Sequence, residues 1–266
     1  DIFRLNLVGK YLTYAFVAVG LVMVWGYGGV LSLGQGVFFG LGGYAMAMFL
    51  KLEASDPETT KIQSTPGIPD FMDWNQITEL PTFWLPFKSL PLTLILVIAV
   101  PTLLAWIISY AMFKRRVGGV YFAIITQALT YAAMLLFFRN ETGFGGNNGF
   151  TDFKRVLGYS VTSSETRLVL FGLTAVMLAV TLVFAAWLVK SKFGRVLTAI
   201  RDAESRVMFI GYNPLWYKLT IWVISAVLCG IAGALYVPQV GIINPSEMSP
   251  GNSIEIAIRV AVGGRA

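Results

Sequence analysis

Residues 11–50 contain no charged side chain, and residues 89–113, 117–138, 168–189 and 219–246 repeat the pattern. Crossing about 30 Å of hydrocarbon takes roughly 20 helical residues, so each later stretch is long enough for one pass and the first for two. An open sheet would leave backbone groups unpaired in lipid, and the short alternating segments of a barrel are missing. The stretches therefore read as helices, and the fold class is all-α: a polytopic transmembrane helical bundle forming a single domain over residues 1–266. The expected spans are 11–27, 31–50, 89–113, 117–138, 168–189 and 219–243, with a partial seventh over 253–266. A composition of 56% hydrophobic and 13% charged residues leaves no room for a water-soluble globule.

Lys114, Arg115 and Arg116 form one basic cluster, and Lys190, Lys192, Arg195, Arg201, Arg206 and Lys218 form another. Basic residues in short loops mark the cytoplasmic side, so loops 114–116 and 190–218 are expected inside, and 51–88 and 139–167 on the outer face. The net charge of +6 is thereby a matter of topology rather than of nucleic-acid binding. Counting back through two spans from the outer 51–88 loop places Asp1 outside. An upstream span or a cleaved signal is expected on parity, and further chain beyond Ala266 from the abrupt stop.

The first apolar stretch is broken by Gly26, Gly28 and Gly29, with Ser32 and Gln35 just beyond at membrane depth. Such a break is tolerated only where it is buried in protein or lines a wet cavity. Gly36 and Gly40 form a small-xxx-small pair, with Gly43 and Ala47 continuing four apart, which suits close helix packing. Ser32 and Gln35 either share that packing role or face a solute path, since buried polar groups in spans are costly.

The segment 191–214, SKFGRVLTAIRDAESRVMFIGYNP, interrupts two long apolar stretches with a dense run of ions. Asp202 and Arg206 stand four apart, where a helix would bring them side by side. Gly211, Asn213 and Pro214 supply a stop. A short polar helix on the membrane surface is expected.

Other features exclude more than they assign. The run NETGFGGNNGF at 140–150 does not complete G-x-G-x-x-G, has no G-K-[ST] and follows no strand, so a tight turn of residues that accept positive φ is the reading. There is no histidine, and the one cysteine, Cys229, lies inside an apolar span. No metal site or redox chemistry is implied. No nucleophile with a base stands in the spans, so no catalytic residue and no enzyme activity are assigned.

Three separated stretches, WGYGGVLSLGQGVFFGLGGY, SKFGRVLTAIRDAESRVMFIGYNPLWYKL and SAVLCGIAGALYVPQVGIINP, resemble the integral-membrane permeases of the branched-chain amino acid ABC importers. Within that family, FFRNETGFGGNNGFTDFK, VPQVGIINPSE and the Trp-rich FMDWNQITELP are most similar to the urea-importer (UrtC-type) permeases. The chain departs from the pattern at both ends and at Arg259, where an apolar or aromatic residue is expected. The resemblance implies a multi-pass protein of the bacterial inner membrane. It implies that residues 194–211 dock in a groove of an ATP-binding subunit and pass its closure to the spans, with Gly194, Arg195, Ala199, Arg201, Asp202, Glu204, Arg206 and Gly211 as the coupling positions. Implied partners are a second homologous permease, two ATP-binding subunits and a periplasmic or extracellular solute-binding protein. The chain itself is expected to bind no cofactor, with ATP and magnesium held by the partner subunits.

The spans show almost no ion between their charged ends, unlike proton-coupled carriers or ion channels. That favours a neutral cargo and an external energy source. Urea would need hydroxyls and amides set in an apolar wall, and the candidates are Ser32, Gln35, Tyr121, Thr126, Gln127 and Thr130. Thr126 and Thr130 share a helix face with Gln127 beside them, although bonding of each threonine to a preceding carbonyl and a bridging role for Gln127 remain open. A branched-chain amino acid is the alternative cargo. A passive urea or glycerol-type channel is a third reading, without the N-P-A signature of half-helix pores.

Overall fold

The computed structural model describes residues 2–55 and 67–264. Residues 56–66 of the expected outer loop and the last two of the partial span lie outside the described residues. Six helices among the described residues are long and apolar enough to cross a membrane. The first is α1 (Ile2–Leu21), continued by a π-helical turn over Val22–Tyr27. The others are α2 (Gln35–Ala54), α4 (Leu90–Lys114), α5 (Gly119–Phe138), α6 (Ser164–Lys190) and α8 (Pro214–Val240). Shorter helices are α3 (Asp70–Trp74), α7 (Lys192–Phe209) and α9 (Pro250–Gly263).

Several expected boundaries move, each for a physical reason. The first span begins well before residue 11, because Lys10 stays in the helix with its Nζ 5.8 Å from the Tyr14 ring and 6.0 Å from the Tyr236 ring. A cation carried on a long stem over aromatic faces does not end a helix. The second span begins at Gln35 rather than residue 31, since 28–34 form no regular element. The sixth ends at Val240, where Gly241 takes a left-handed φ of 82°. The partial seventh is α9, whose 14 residues reach only about 21 Å.

The middle of the molecule is built on α2 and α8, 72% and 67% buried over their apolar windows against 28% for each of α4, α5 and α6. Their axes approach through glycine: a Cβ on Gly42 would collide with the Gly230 carbonyl, and one on Gly233 with that of Phe39. The row Gly36, Gly40 and Gly43 lies mostly against the chain that follows α8, with Gly43 also beside Gly233. It faces Met248 and Ser253 at Gly36, the Met248 side chain at Gly40, and Ile243 at Gly43.

At one end of the bundle, Tyr44 meets Phe137, Phe144 and Phe150 edge to face, and Phe71 stacks on Phe150 at 4.6 Å. Trp84 joins this cluster and donates its Nε1–H to the Gly143 carbonyl at 3.2 Å. The expected tight turn is present here, with Gly143, Gly145, Gly146 and Gly149 all at positive φ. The few strands lie in the same region: β1 (Phe150–Thr151), β2 (Arg155–Val156), β3 (Tyr159–Ser160) and β4 (Ile242–Ile243), paired as β1 with β4 and β2 with β3. The α2 terminus clamps the second pair, Glu53 accepting from the Leu157 and Gly158 amides at 3.1 and 2.6 Å.

After β4 the chain turns inward. A short 3-10 turn, Pro245–Met248, seats Met248 against α2, and α9 starts beside the start of α2, where the Gly36 amide donates to Ser253 Oγ at 3.2 Å. Glu247, Glu255 and Arg259 thus sit around Tyr14, in the middle of α1. Glu247 is half-buried there, while the Glu255 and Arg259 side chains stay more than half exposed. Residues 244–253 read as the exit of a span, and only the folded chain brings their one charge, Glu247, against Tyr236.

Candidate functional site

The break between α1 and α2 is held together from another helix. Leu33 lies in the irregular stretch, and its amide donates to Thr126 Oγ1 at 3.1 Å. The Thr130 hydroxyl lies 3.1 Å from the Leu33 carbonyl and 2.8 Å from that of Thr126. Thr126 also reaches back to the Phe122 and Ala123 carbonyls at 2.9 and 3.0 Å. Backbone groups freed by a break inside a bundle must find partners, and two threonines four apart on α5 supply them. Ser32 is fully buried and accepts from the Gly34 amide at 3.3 Å, closing the turn into α2. Gln35 is 3% exposed, and its Oε1 has no hydrogen-bond partner among the described residues.

Upstream, the π turn shifts the ladder: the amides of Gly28, Gly29 and Val30 bond to Met23, Trp25 and Val24 carbonyls at 3.1, 3.1 and 3.2 Å. The Gly26 carbonyl is taken by a side chain from across the molecule. Arg201 Nη1 donates to it at 2.5 Å, while Arg201 Nε donates to Asp202 Oδ1 at 2.8 Å. The Arg201 stem lies against Gly29, where φ is +67° and a Cβ would stand 2.6 Å from Arg201 Cγ. Glycine is required there by conformation and by space.

Arg201 and Asp202 belong to α7. Its start is capped by Ser191 Oγ, which accepts from the Gly194 amide at 3.4 Å, and a Cβ on Gly194 would collide with the Val189 backbone. Leu197, Ile200 and Val207 turn inward, whereas Met208, Phe209 and Ile210 are exposed. The expected pairing of Asp202 with Arg206 does not occur. Ala203, at φ −154° and ψ 66°, breaks the helix between them, so i,i+4 adjacency is lost. Asp202 pairs with Arg201, and Glu204 with Lys218 of α8 at 2.7 Å. The hydrogen bond from Arg201 holds the Asp202 carboxyl below its ordinary range, and the same bond raises the guanidinium. A cleft of about 310 Å³ lies beside this pair, lined by Phe113 and Arg116 as well as Glu204 and Lys218. Both basic clusters therefore occupy one end of the bundle.

Of the residues singled out for a solute path, Ser32, Thr126 and Thr130 meet at the break, and Gln35 opens the helix that follows it. Tyr121 points outward, 74% exposed, and Gln127 is half-buried on the flank of α5. Of the coupling positions, Gly194 is buried, while Arg195, Ala199, Arg206 and Gly211 are exposed. The exposed apolar tip Met208–Phe209–Ile210 was not singled out in the sequence. Its signal there is three apolar residues closing a charged segment just before Gly211. Among the described residues, no group of three or more Cys, Asp or Glu could hold a metal ion.

A family model described as the branched-chain amino acid transport system permease component matches residues 3–266. The high-affinity branched-chain amino acid transport system permease protein LivM of Escherichia coli K12 is 24% identical over 275 residues, covering 95% of this chain and 56% of that protein. The LivM protein of Salmonella typhimurium LT2 is similar to the same extent. The chain spans about half the length of the curated relatives it matches. No solved structure matches.

Proposed function

We propose, because this chain belongs to the permease family of branched-chain amino acid transport systems, that it forms one half of the translocation path of an ATP-driven importer in the bacterial inner membrane. A second, homologous permease would supply the other half. Two ATP-binding subunits would sit on the α7 side, which is the cytoplasmic side in this reading, and a solute-binding protein on the other. ATP and magnesium belong to the ATP-binding subunits.

The observation that carries this reading is the link between α7 and the break in the first span. A surface helix that ends in exposed Met208, Phe209 and Ile210 has an apolar tip to insert in a partner's groove. Its Arg201 reaches the Gly26 carbonyl, where the π turn gives way to the irregular stretch. A displacement of α7 is therefore delivered to a point where the membrane helix has already lost its regular ladder and bends at small cost.

For cargo, urea is the first reading. It is supported by the resemblance of the outer loops and by the buried Gln35 amide oxygen near the break, which has no partner among the described residues. A branched-chain amino acid is the second, favoured by the names of the relatives. Transport in vesicles containing the full set of subunits, with labelled urea and labelled leucine compared under ATP, tests both. The expected result is ATP-dependent uptake of urea that excess leucine does not inhibit. Uptake of leucine alone would overturn the urea assignment, and uptake without ATP would overturn the importer.

A further inference from the structure

Two helices begin at the same place. The first turns of α2 and α9 face each other across the Gly36 to Ser253 hydrogen bond of 3.2 Å, at the level of Tyr14 midway along α1. Between them is a cavity of about 60 Å³, walled by Tyr14, Val17, Phe39 and Ile256 and by the polar groups of Gln35 and Glu247. First-turn amides have no acceptor within their own helix, and two helix starts concentrate donors and partial positive charge on one spot. The buried Gln35 Oε1, without a partner among the described residues, lines the same cavity. A buried amide oxygen left unpaired carries its full desolvation cost, which an N–H donor entering the cavity would relieve.

The remaining ions set the charge of the site. Glu255 and Arg259 pair with each other at 2.5 Å, and Glu247 accepts from Tyr236 Oη at 3.0 Å while keeping acceptor capacity. The wall thus offers acceptors at Gln35 and Glu247, and at the two helix starts those first-turn amides not already spent on the Gly36 to Ser253, Val37 to Gly34 and Asn252 to Ser249 bonds.

We infer that this cavity is a solute site of the translocation path, taking a small uncharged solute of the urea type, with its N–H groups on Gln35 Oε1 and Glu247 and its carbonyl toward the starts of α2 and α9. The inference rests on the permease reading and names the substrate class at a site to which only Gln35 had been assigned. The volume suits that class: a water needs roughly 10–15 Å³ of such space, so the cavity takes about four to six waters. Urea, with its four heavy atoms, fits, whereas leucine has more than twice as many.

The test uses the complete importer in proteoliposomes, with binding protein, labelled urea, and two variants. Gln35→Met keeps length and removes the acceptor, and Ile256→Trp fills the cavity from α9 without touching Gln35. The expected result is that each variant lowers ATP-driven urea uptake at least tenfold, while ATP hydrolysis stimulated by the binding protein stays within twofold of the native complex. Native urea uptake with no loss in either variant would overturn the site and leave the importer standing. Loss of assembly and ATP hydrolysis together with uptake in both variants would also overturn it, making Gln35 a packing residue. A native complex that moves leucine and not urea would overturn the ligand class and the urea reading together.

Discussion

At the scale of single residues, Arg201 carries the greatest weight, because one guanidinium joins Asp202 on its own helix to Gly26 on another. Lysine cannot reproduce this, having one compact head where arginine has a planar fork. Arg201→Ala and Arg201→Lys should both lower ATP-driven uptake, alanine by at least tenfold, with membrane insertion unchanged. Uptake assays on matched amounts of inserted protein check this. The pH dependence has a definite sign. The folded Asp202 pKa is lowered, so its contribution is complete above the ordinary carboxylate value of about 3.9 and is lost only as pH falls through the lower folded value. Uptake between about pH 6 and 8 should show no inflection that Asp202→Asn removes. The register of this region was hidden in the sequence. Asp202 and Arg206 have the spacing of a helical pair, and nothing about Ala203, a strong helix former, announces the non-helical backbone between them.

At the scale of elements, the break between α1 and α2 is held by α5, and each threonine hydrogen bond there is worth about 1 kcal/mol. Thr126→Val with Thr130→Val, nearly isosteric and lacking both hydroxyls, should lower stability by about 2 kcal/mol. Thermal unfolding in detergent, read beside the single variants, measures it. At the centre, Gly42→Leu should be worse, since its side chain would enter the Gly230 backbone of α8. Overpacking of this kind costs about 1–3 kcal/mol or more, and loss of monodisperse protein on size exclusion reports it. The spans themselves were legible because hydrocarbon demands long charge-free helices, and the glycines at 26, 28 and 29 gave away the break. Pairing of its loose end with Thr126 and Thr130 was not legible, since it joins residues more than 90 positions apart. The inward turn of 241–249 was hidden for another reason. Glu247 carries the composition of a water-facing loop, and only the fold-back bonds it to Tyr236, whereas Glu255 and Arg259 pair locally, four apart on α9.

At the scale of the whole molecule, the two ends of the bundle are built differently. One is locked by aromatic rings, by the β1 to β4 pairing and by the Lys51 to Asp70 ion pair of 2.8 Å, with the Lys51 side chain 5% exposed. The other carries α7, the basic clusters and an exposed apolar tip, and is joined to the first span chiefly through Arg201. In the proposed importer the aromatic end would be the outer cap and α7 the inner lever, an arrangement that suits a path opened from one side when a motor on that side closes. The most direct measurement is cross-linking of Phe209→Cys in membranes that contain the ATP-binding subunits, with Cys229 buried and out of reach of reagents. The account predicts a cross-link to an ATP-binding subunit that changes in yield with ATP, and no labelling of that thiol in intact cells by a membrane-impermeant reagent. Labelling from outside the cell, with no cross-link to the ATP-binding subunit, would contradict it.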